Sequence, residues 1–191
     1  MQDPVNRAIR QTYLKVRQQL SVDFQQERSH KICTRIRTLN QYRYAKYIAL
    51  YHTINNEVDL GGLWRSAPLH GKYCHFPVIN TDGTLSFLPA TPQSSFRLND
   101  YGILEPETAP HAIIAPDRLD IIFTPLVAFD IHGTRIGMGK GYYDKTLATV
   151  RPKLLVGVAY EFQRLAFISP QIWDVKLDAI ITEKNIYWSQ S

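Results

Sequence analysis

The stretch richest in chemistry is Arg135-Ile136-Gly137-Met138-Gly139-Lys140-Gly141-Tyr142-Tyr143-Asp144. Three glycines at alternate positions let the backbone approach a ligand closely and turn its N–H groups inward. A short helix expected from Tyr142 to about Val150 would add further free N–H groups and the positive end of its dipole. Arg135 and Lys140 put positive charge where a polyphosphate would sit. The combination suits a nucleotide; a tight turn whose glycines pack the following helix is the other reading of the same residues. Two better-known phosphate loops are excluded. A P-loop needs Gly, four residues, then Gly-Lys-Ser/Thr, but Thr134 stands five before Gly139 and Gly141 follows Lys140. The dinucleotide fingerprint fails because the third glycine comes one residue early and no strand leads straight into the loop. Asp144, in the first turn of the expected helix, either complements the helix dipole or ligates the Mg²⁺ that accompanies ATP.

Other chemistries have less support. His30, His70, His75, His111 and His132 lack metal-ligand spacing. No serine sits in GxSxG, and no Cys–His arrangement suggests a covalent hydrolase. Cys33 and Cys74 form no CxxC; in a chain whose start lacks the apolar core of a signal peptide, buried free thiols are expected.

These residues have to be positioned by a scaffold, and its period is legible. Ile9, Tyr13, Val16 and Leu20 recur at helical spacing over 5–20, with Arg7, Arg10, Leu14 and Arg17 on another stripe. Ser21 is a suitable N-cap for a second helix over 22–39, with Phe24, Ile32, Ile36 and Leu39 on its apolar face. A strand over 47–51 leads to a polar turn at Asn55-Asn56, then a helix over 58–69 ending at Gly71. A strand comes next at 73–78, and a short one at 84–88 falls inside a proline-interrupted stretch from 80 to 116 that has the length of a functional loop. Further strands read at 119–123, 154–159 and 178–182, with apolar Val127-Ala128-Phe129 and a turn at 130–133 before the glycine loop. Strands alternating with helices predict a mainly parallel, three-layer α/β domain, and neither a repeat nor a flexible linker divides the chain.

The 191 residues are 45% hydrophobic and 20% charged, which excludes a disordered chain. No apolar run is long enough to span a bilayer, so a cytoplasmic domain without membrane contact is expected. A net charge of +5 and a pI near 9.2 admit either nucleic acid or small anions. An RNA-binding protein would need an RNP- or KH-type motif, and neither is present.

The string TPLVAFDIHG followed by RIGMGKGYYD resembles the 5-formyltetrahydrofolate cyclo-ligase family, also called methenyltetrahydrofolate synthetase. Similarity extends to the Arg-rich first helix, Asn55–Asp59, Tyr101–Pro106, Gly157–Tyr160 and Val175–Ile180. The resemblance implies a single Rossmann-like domain, a monomer or weak homo-oligomer, that converts 5-formyltetrahydrofolate and ATP to 5,10-methenyltetrahydrofolate, ADP and phosphate with Mg²⁺. It implies that Arg135, Gly137, Met138, Gly139, Lys140, Gly141, Tyr142 and Tyr143 wrap ATP, joined by Asn6, Arg7 and Arg10. Folate would meet His52, Glu57 and the stretch from Met138 to Tyr142, while Asp144 and Asp178 would hold Mg²⁺. Arg135 and Lys140 would stabilise the transferring phosphoryl group. By residue type alone Tyr143 reads as packing and Tyr142 as a ligand contact. The chain departs from the family at Asn6, where lysine is common, at Met138, often arginine or aromatic, and at His52, usually apolar. A folate- or nucleotide-binding regulator without turnover is the alternative that keeps the same fold.

Overall fold

The computed structural model describes residues 4–107 and 112–189; His111 lies outside the described residues. The helices are α1 (Pro4–Gln18), α2 (Val22–Thr38), α3 (Asn40–Tyr44), α4 (Gly61–Ser66) and α5 (Tyr142–Leu147). The main sheet comprises β1 (Tyr47–Ala49), β2 (Tyr73–Ile79), β3 (Leu85–Pro89), β6 (Ile121–Pro125), β9 (Leu154–Val158), β10 (Ala179–Ile181) and β11 (Ile186–Trp188). Two hairpins stand outside it: β4 (Phe96–Leu98) with β5 (Leu104–Pro106), and β7 (Ala128–Phe129) with β8 (Arg135–Ile136).

The order across the sheet is β11-β10-β9-β6-β1-β2-β3. The five central strands are parallel, and β3 and β11 close the two edges antiparallel. Both faces are buried, so alternate strand residues serve different cores. Ile48, Ile121, Phe123, Val156 and Ile181 pack beneath α2, α3 and α4, with Ile32, Ile36 and Leu63. Ala49, Ile122, Leu155 and Ile180 face the other way, onto Leu147 of α5 and onto Leu177. This double burial is why these strands read as nearly continuous apolar runs.

The chain runs from β1 to β2 on one side, then crosses to β6 on the other side of β1. The order therefore reverses between β1 and β6, and the carboxyl ends of those strands flank a crevice, the usual ligand position in open α/β sheets. The Asn55-Asn56 turn leaves the end of β1, and the segment leading to the glycine loop leaves the end of β6.

Most expected elements are present. The Ser21 hydroxyl caps α2 by accepting from the Phe24 amide, and Gly71 ends its helical segment at φ 65°. The helix expected over 58–69 is shorter: Val58 and Leu60 are core residues, the Asp59 carboxylate accepts from the Gly61 amide, and only then does α4 begin. The expectation misses α3, the β4–β5 hairpin, β11 and β8, which does lead straight into the glycine loop, so the dinucleotide fingerprint fails on glycine spacing alone.

Candidate active site

The glycine loop rests on a built turn. Asp130 is fully buried; its Oδ1 accepts the His132 and Thr134 amides and its Oδ2 the Ile168 amide. Gly133 has φ 86°, and a Cβ there would collide with Ser189 and the Leu177 carbonyl. The loop itself needs left-handed backbone at Gly139 (φ 95°) and Gly141 (φ 71°), a conformation that costs other residues about 1–2 kcal/mol. At Gly141 a Cβ would meet open space, so conformation and not crowding selects glycine there. Helix α5 is only six residues long, so its dipole adds little to the loop amides.

Ties from two directions hold the loop. From α1, the half-buried Arg10 donates through Nε to the Gly137 carbonyl at 2.7 Å. Helix α1 reaches this position by packing Ile9, Tyr13 and Leu14 on Val127, Ala128 and Ile136. Arg7 is exposed and Asn6 half-exposed on its first turn; among the described residues neither is bonded to the loop.

The second tie is Arg135. Its guanidinium, 6% exposed, donates to Asp144 Oδ1 at 2.7 Å and to the Val175 carbonyl. The sequence expectation puts Arg135 on phosphate and in catalysis; here its fork turns inward and clamps the loop to the start of α5 and to the 175 segment. Lys140 is exposed, with Nζ 5.5 Å above the Tyr101 ring centre. Tyr101, at the tip of the β4–β5 hairpin, also meets Tyr142 edge-on at 6.2 Å. That hairpin thus comes over the loop, and Met138 stands 40% exposed beside Gly139.

Asp144 and Asp178 are held by different partners. The Asp178 carboxylate accepts the Leu155 amide at 2.7 Å and Arg151 at 3.0 Å, which fastens the start of β10 to the start of β9. Asp174, whose Oδ2 accepts the Gln171 amide at 2.8 Å, lies near enough to feel the Asp144 charge. Burial raises its pKa, the Asp144 charge raises it further, and Arg135 opposes that. Both bonds to Asp144 fall on Oδ1, from Arg135 and from the Val175 amide at 3.1 Å, leaving Oδ2 unbonded among the described residues. Two neighbouring carboxylates with an open oxygen fit a hard cation such as Mg²⁺. Among the described residues no three His, Cys, Asp or Glu side chains converge on one point, so phosphate oxygens and water would complete such a shell.

Glu57 forms the opposite wall. Left-handed Asn55 (φ 50°) and Asn56 (φ 56°) turn the chain after β1 and point Glu57 inward, where it is 5% exposed. Its Oε2 accepts the Ile54 amide at 3.2 Å and its Oε1 faces Arg17 Nη2 at 3.7 Å. Burial lifts its carboxyl to about 7 against the opposing effect of Arg17. Tyr143 connects the walls: its hydroxyl is pushed up by burial and then by the Glu57 charge, while Arg135 and a bond to Thr124 act the other way. Tyr143 accordingly packs inside, under the loop.

His52 lies in an aromatic nest, stacked on Phe76 at 4.5 Å and edge-on to Phe96 and Trp64. Burial lowers its pKa, so the ring is neutral at pH 7. His52 Nε2 and Trp64 Nε1 are buried without partners beside a pocket of about 130 Å³ that Tyr51, Asp59 and Arg65 also line. A wider groove of about 630 Å³ opens at the amino edge of the sheet, where Lys153 pairs with Asp120. It contains none of the residues just described.

Sequence reasoning misses Arg17, Tyr101, Asp130 and Asp174. Tyr101 had a signal in the matched Tyr101–Pro106 stretch. Arg17 and Asp174 carried none, because their roles come from contacts between distant segments.

A mostly parallel open sheet with a glycine loop at its switch point defines an enzyme-like α/β fold. The chain belongs to the 5-formyltetrahydrofolate cyclo-ligase family, whose model matches residues 2–183. It is 35% identical to the 5-formyltetrahydrofolate cyclo-ligase of Haemophilus influenzae, over 91% of this chain and 95% of the relative. Among solved structures it is similar to the 5,10-methenyltetrahydrofolate synthetase of Aquifex aeolicus, at TM-score 0.86 and 32% identity, covering 98% of this chain and 94% of that one. The Mycoplasma pneumoniae synthetase matches at TM-score 0.76 and 29% identity, covering 93% and 98%. No described helix is long and apolar enough to cross a membrane.

Proposed function

We propose that this enzyme converts 5-formyltetrahydrofolate to 5,10-methenyltetrahydrofolate with ATP and Mg²⁺. The observation that carries this is the glycine loop, left-handed at Gly139 and Gly141 and braced by Arg10 and by the Arg135–Asp144 pair, at the switch point of the sheet that also carries the buried acid Glu57.

The formamide oxygen of the substrate is a poor leaving group and N10 a weak nucleophile. Transfer of the γ-phosphoryl group to the formyl oxygen releases ADP and turns that oxygen into a leaving group. N10 then attacks the formyl carbon, and phosphate departs as the ring closes and N10 loses its proton. Such a reaction needs alignment of two ligands and stabilisation of phosphoryl charge more than covalent chemistry.

The loop amides and the exposed ammonium of Lys140 would receive the phosphates, with Asn6 and Arg7 at the open end of α1. Asp144 and Asp174 would hold Mg²⁺, which supplies charge neutralisation at the phosphoryl oxygens. Arg135 acts indirectly, by keeping Asp144 and the loop in register. Glu57 would accept hydrogen bonds from the amino and ring N–H groups of the pterin. His52 and its aromatic neighbours, with Tyr101, Met138 and Tyr142 across the crevice, would line the folate.

A near-ultraviolet time course with 5-formyltetrahydrofolate, ATP and Mg²⁺ tests this, because the conjugated amidinium product absorbs where the substrate does not. A rise requiring both ATP and Mg²⁺ is expected. Binding of folate or ATP without any rise would instead identify a regulator.

A further inference from the structure

Arg17 belongs to the last turn of α1 yet is 1% exposed, although the sequence groups it with a solvated basic stripe. Its Nη1 donates to the Leu126 carbonyl at 3.2 Å, just beyond β6. Its Nε and Nη2 are buried without any acceptor. Nη2 stands 3.7 Å from Glu57 Oε1, beyond hydrogen-bond distance. A guanidinium brings five donors, and burying most of them unmet is costly unless the charge does something in return. The neighbouring turn is built around it: Asn56 Nδ2 donates to the Arg17 carbonyl at 2.8 Å.

Arg17 is the only cation that acts on Glu57 among the described residues. The other groups that feel that carboxylate are two phenols, Tyr51 beyond β1 and Tyr143 on α5, while the Tyr160 hydroxyl beyond β9 donates to the Glu57 main-chain carbonyl at 3.3 Å. On both members of the pair burial outweighs their attraction, lowering Arg17 and raising Glu57. The carboxylate thus sits close to losing its charge, with one arginine opposing that loss.

We propose that Arg17 is a positioning residue for folate recognition: anchored on the Leu126 carbonyl, it keeps the Glu57 carboxylate ionised and aimed into the crevice. This rests on the reading that Glu57 contacts the pterin. Arg17 touches neither ligand; it acts through Glu57.

The test is the pH dependence of kcat/KM for 5-formyltetrahydrofolate in the wild type, Arg17→Met, Arg17→Lys and Glu57→Gln. In Arg17→Met the acid limb moves up by about one pH unit or more, and the folate KM near neutral pH rises about tenfold. The ATP KM stays within about twofold, and Arg17→Lys recovers most of the loss because it restores the charge. Glu57→Gln weakens folate binding and abolishes the limb. A wild-type limb and folate KM in Arg17→Met, with Glu57→Gln impaired, would overturn the role of Arg17 and leave the folate contact standing. An unchanged folate KM in Glu57→Gln would remove the folate contact itself, and the proposal with it. If Arg17→Met does not fold, Arg17→Met/Glu57→Gln decides: a folded protein with the folate KM of Glu57→Gln supports the pairing, and a second failure to fold overturns it.

Discussion

Arg10 and Arg17 lie about two helical turns apart on α1 and serve opposite walls of one crevice. Arg10 Nε donates to the Gly137 carbonyl at 2.7 Å, and Arg17 Nη2 faces Glu57 Oε1 at 3.7 Å. A single helix therefore sets the separation between the glycine loop and the acid across from it. Replacing Arg10 by Met keeps an unbranched stem of similar length but removes the charged donor to Gly137. A hydrogen bond from a charged group is worth about 1.5–3 kcal/mol. The ATP KM of Arg10→Met is expected to rise by roughly one order of magnitude, with a much smaller change for folate. Equal effects on both ligands would mean that Arg10 supports the whole crevice and not the loop.

The acidic residues separate into two kinds of role. Asp144→Asn and Asp174→Asn are each expected to lower kcat by roughly two orders of magnitude or more, as losing a phosphoryl-stabilising charge does. Each should also raise the Mg²⁺ concentration needed for half-maximal rate. Asp178→Asn should leave the Mg²⁺ dependence alone and lower Tm, because it loosens the Leu155 amide and Arg151. Rate against Mg²⁺ and thermal melts for the three variants check this. A shifted Mg²⁺ requirement in Asp178→Asn would return that residue to the metal.

Gly141 offers a cleaner test of the loop than its neighbours. Its φ of 71° disfavours any residue with a Cβ, yet a Cβ would meet nothing within 4 Å. Asn tolerates left-handed backbone better than Val. Gly141→Asn should therefore keep most ATP affinity, while Gly141→Val should lose it. Calorimetric titration of a non-hydrolysable ATP analogue reads the difference. Equal losses in both variants would show that the ligand needs the space itself.

The range of each interaction decides how much of the fold and the site is legible in the sequence. Helix periods, the Ser21 cap and the apolar strand runs are local, and α1, α2 and the parallel strands appear where the residues predict. Gly139 and Gly141 announce left-handed backbone by type alone. The β4–β5 hairpin was hidden because Pro106 and the short Phe96–Leu98 run give no alternation long enough to recognise. Asp178 is ambiguous for a different reason: an acid before a late strand looks the same whether it meets a metal or a backbone amide. Only the packing of the 171–175 segment beside α5 brings Asp174 to Asp144 instead. Arg17 reads as surface because its helix is amphipathic, yet the Asn55-Asn56 turn and Leu126 close over it.

Glu57 also makes stability depend on pH in an unusual direction. Burial lifts its carboxyl to about 7, above the ordinary value near 4.5, so the native protein holds this proton where the unfolded chain has lost it. Between those values the native state binds more protons, and stability falls as pH rises. The contribution is complete below about pH 4.5 and is lost as pH climbs through about 7. With about 1.4 kcal/mol for each pH unit, the change across this window is roughly 3–4 kcal/mol. Glu57→Gln lacks it. Denaturant melts of both proteins from pH 5 to pH 8 should show the wild type losing ground against Glu57→Gln as pH rises. If the wild type gains ground instead, the attraction of Arg17 exceeds the cost of burying the carboxylate. The crevice would then hold a firm ion pair at neutral pH, and the folate KM would not weaken on mild acidification.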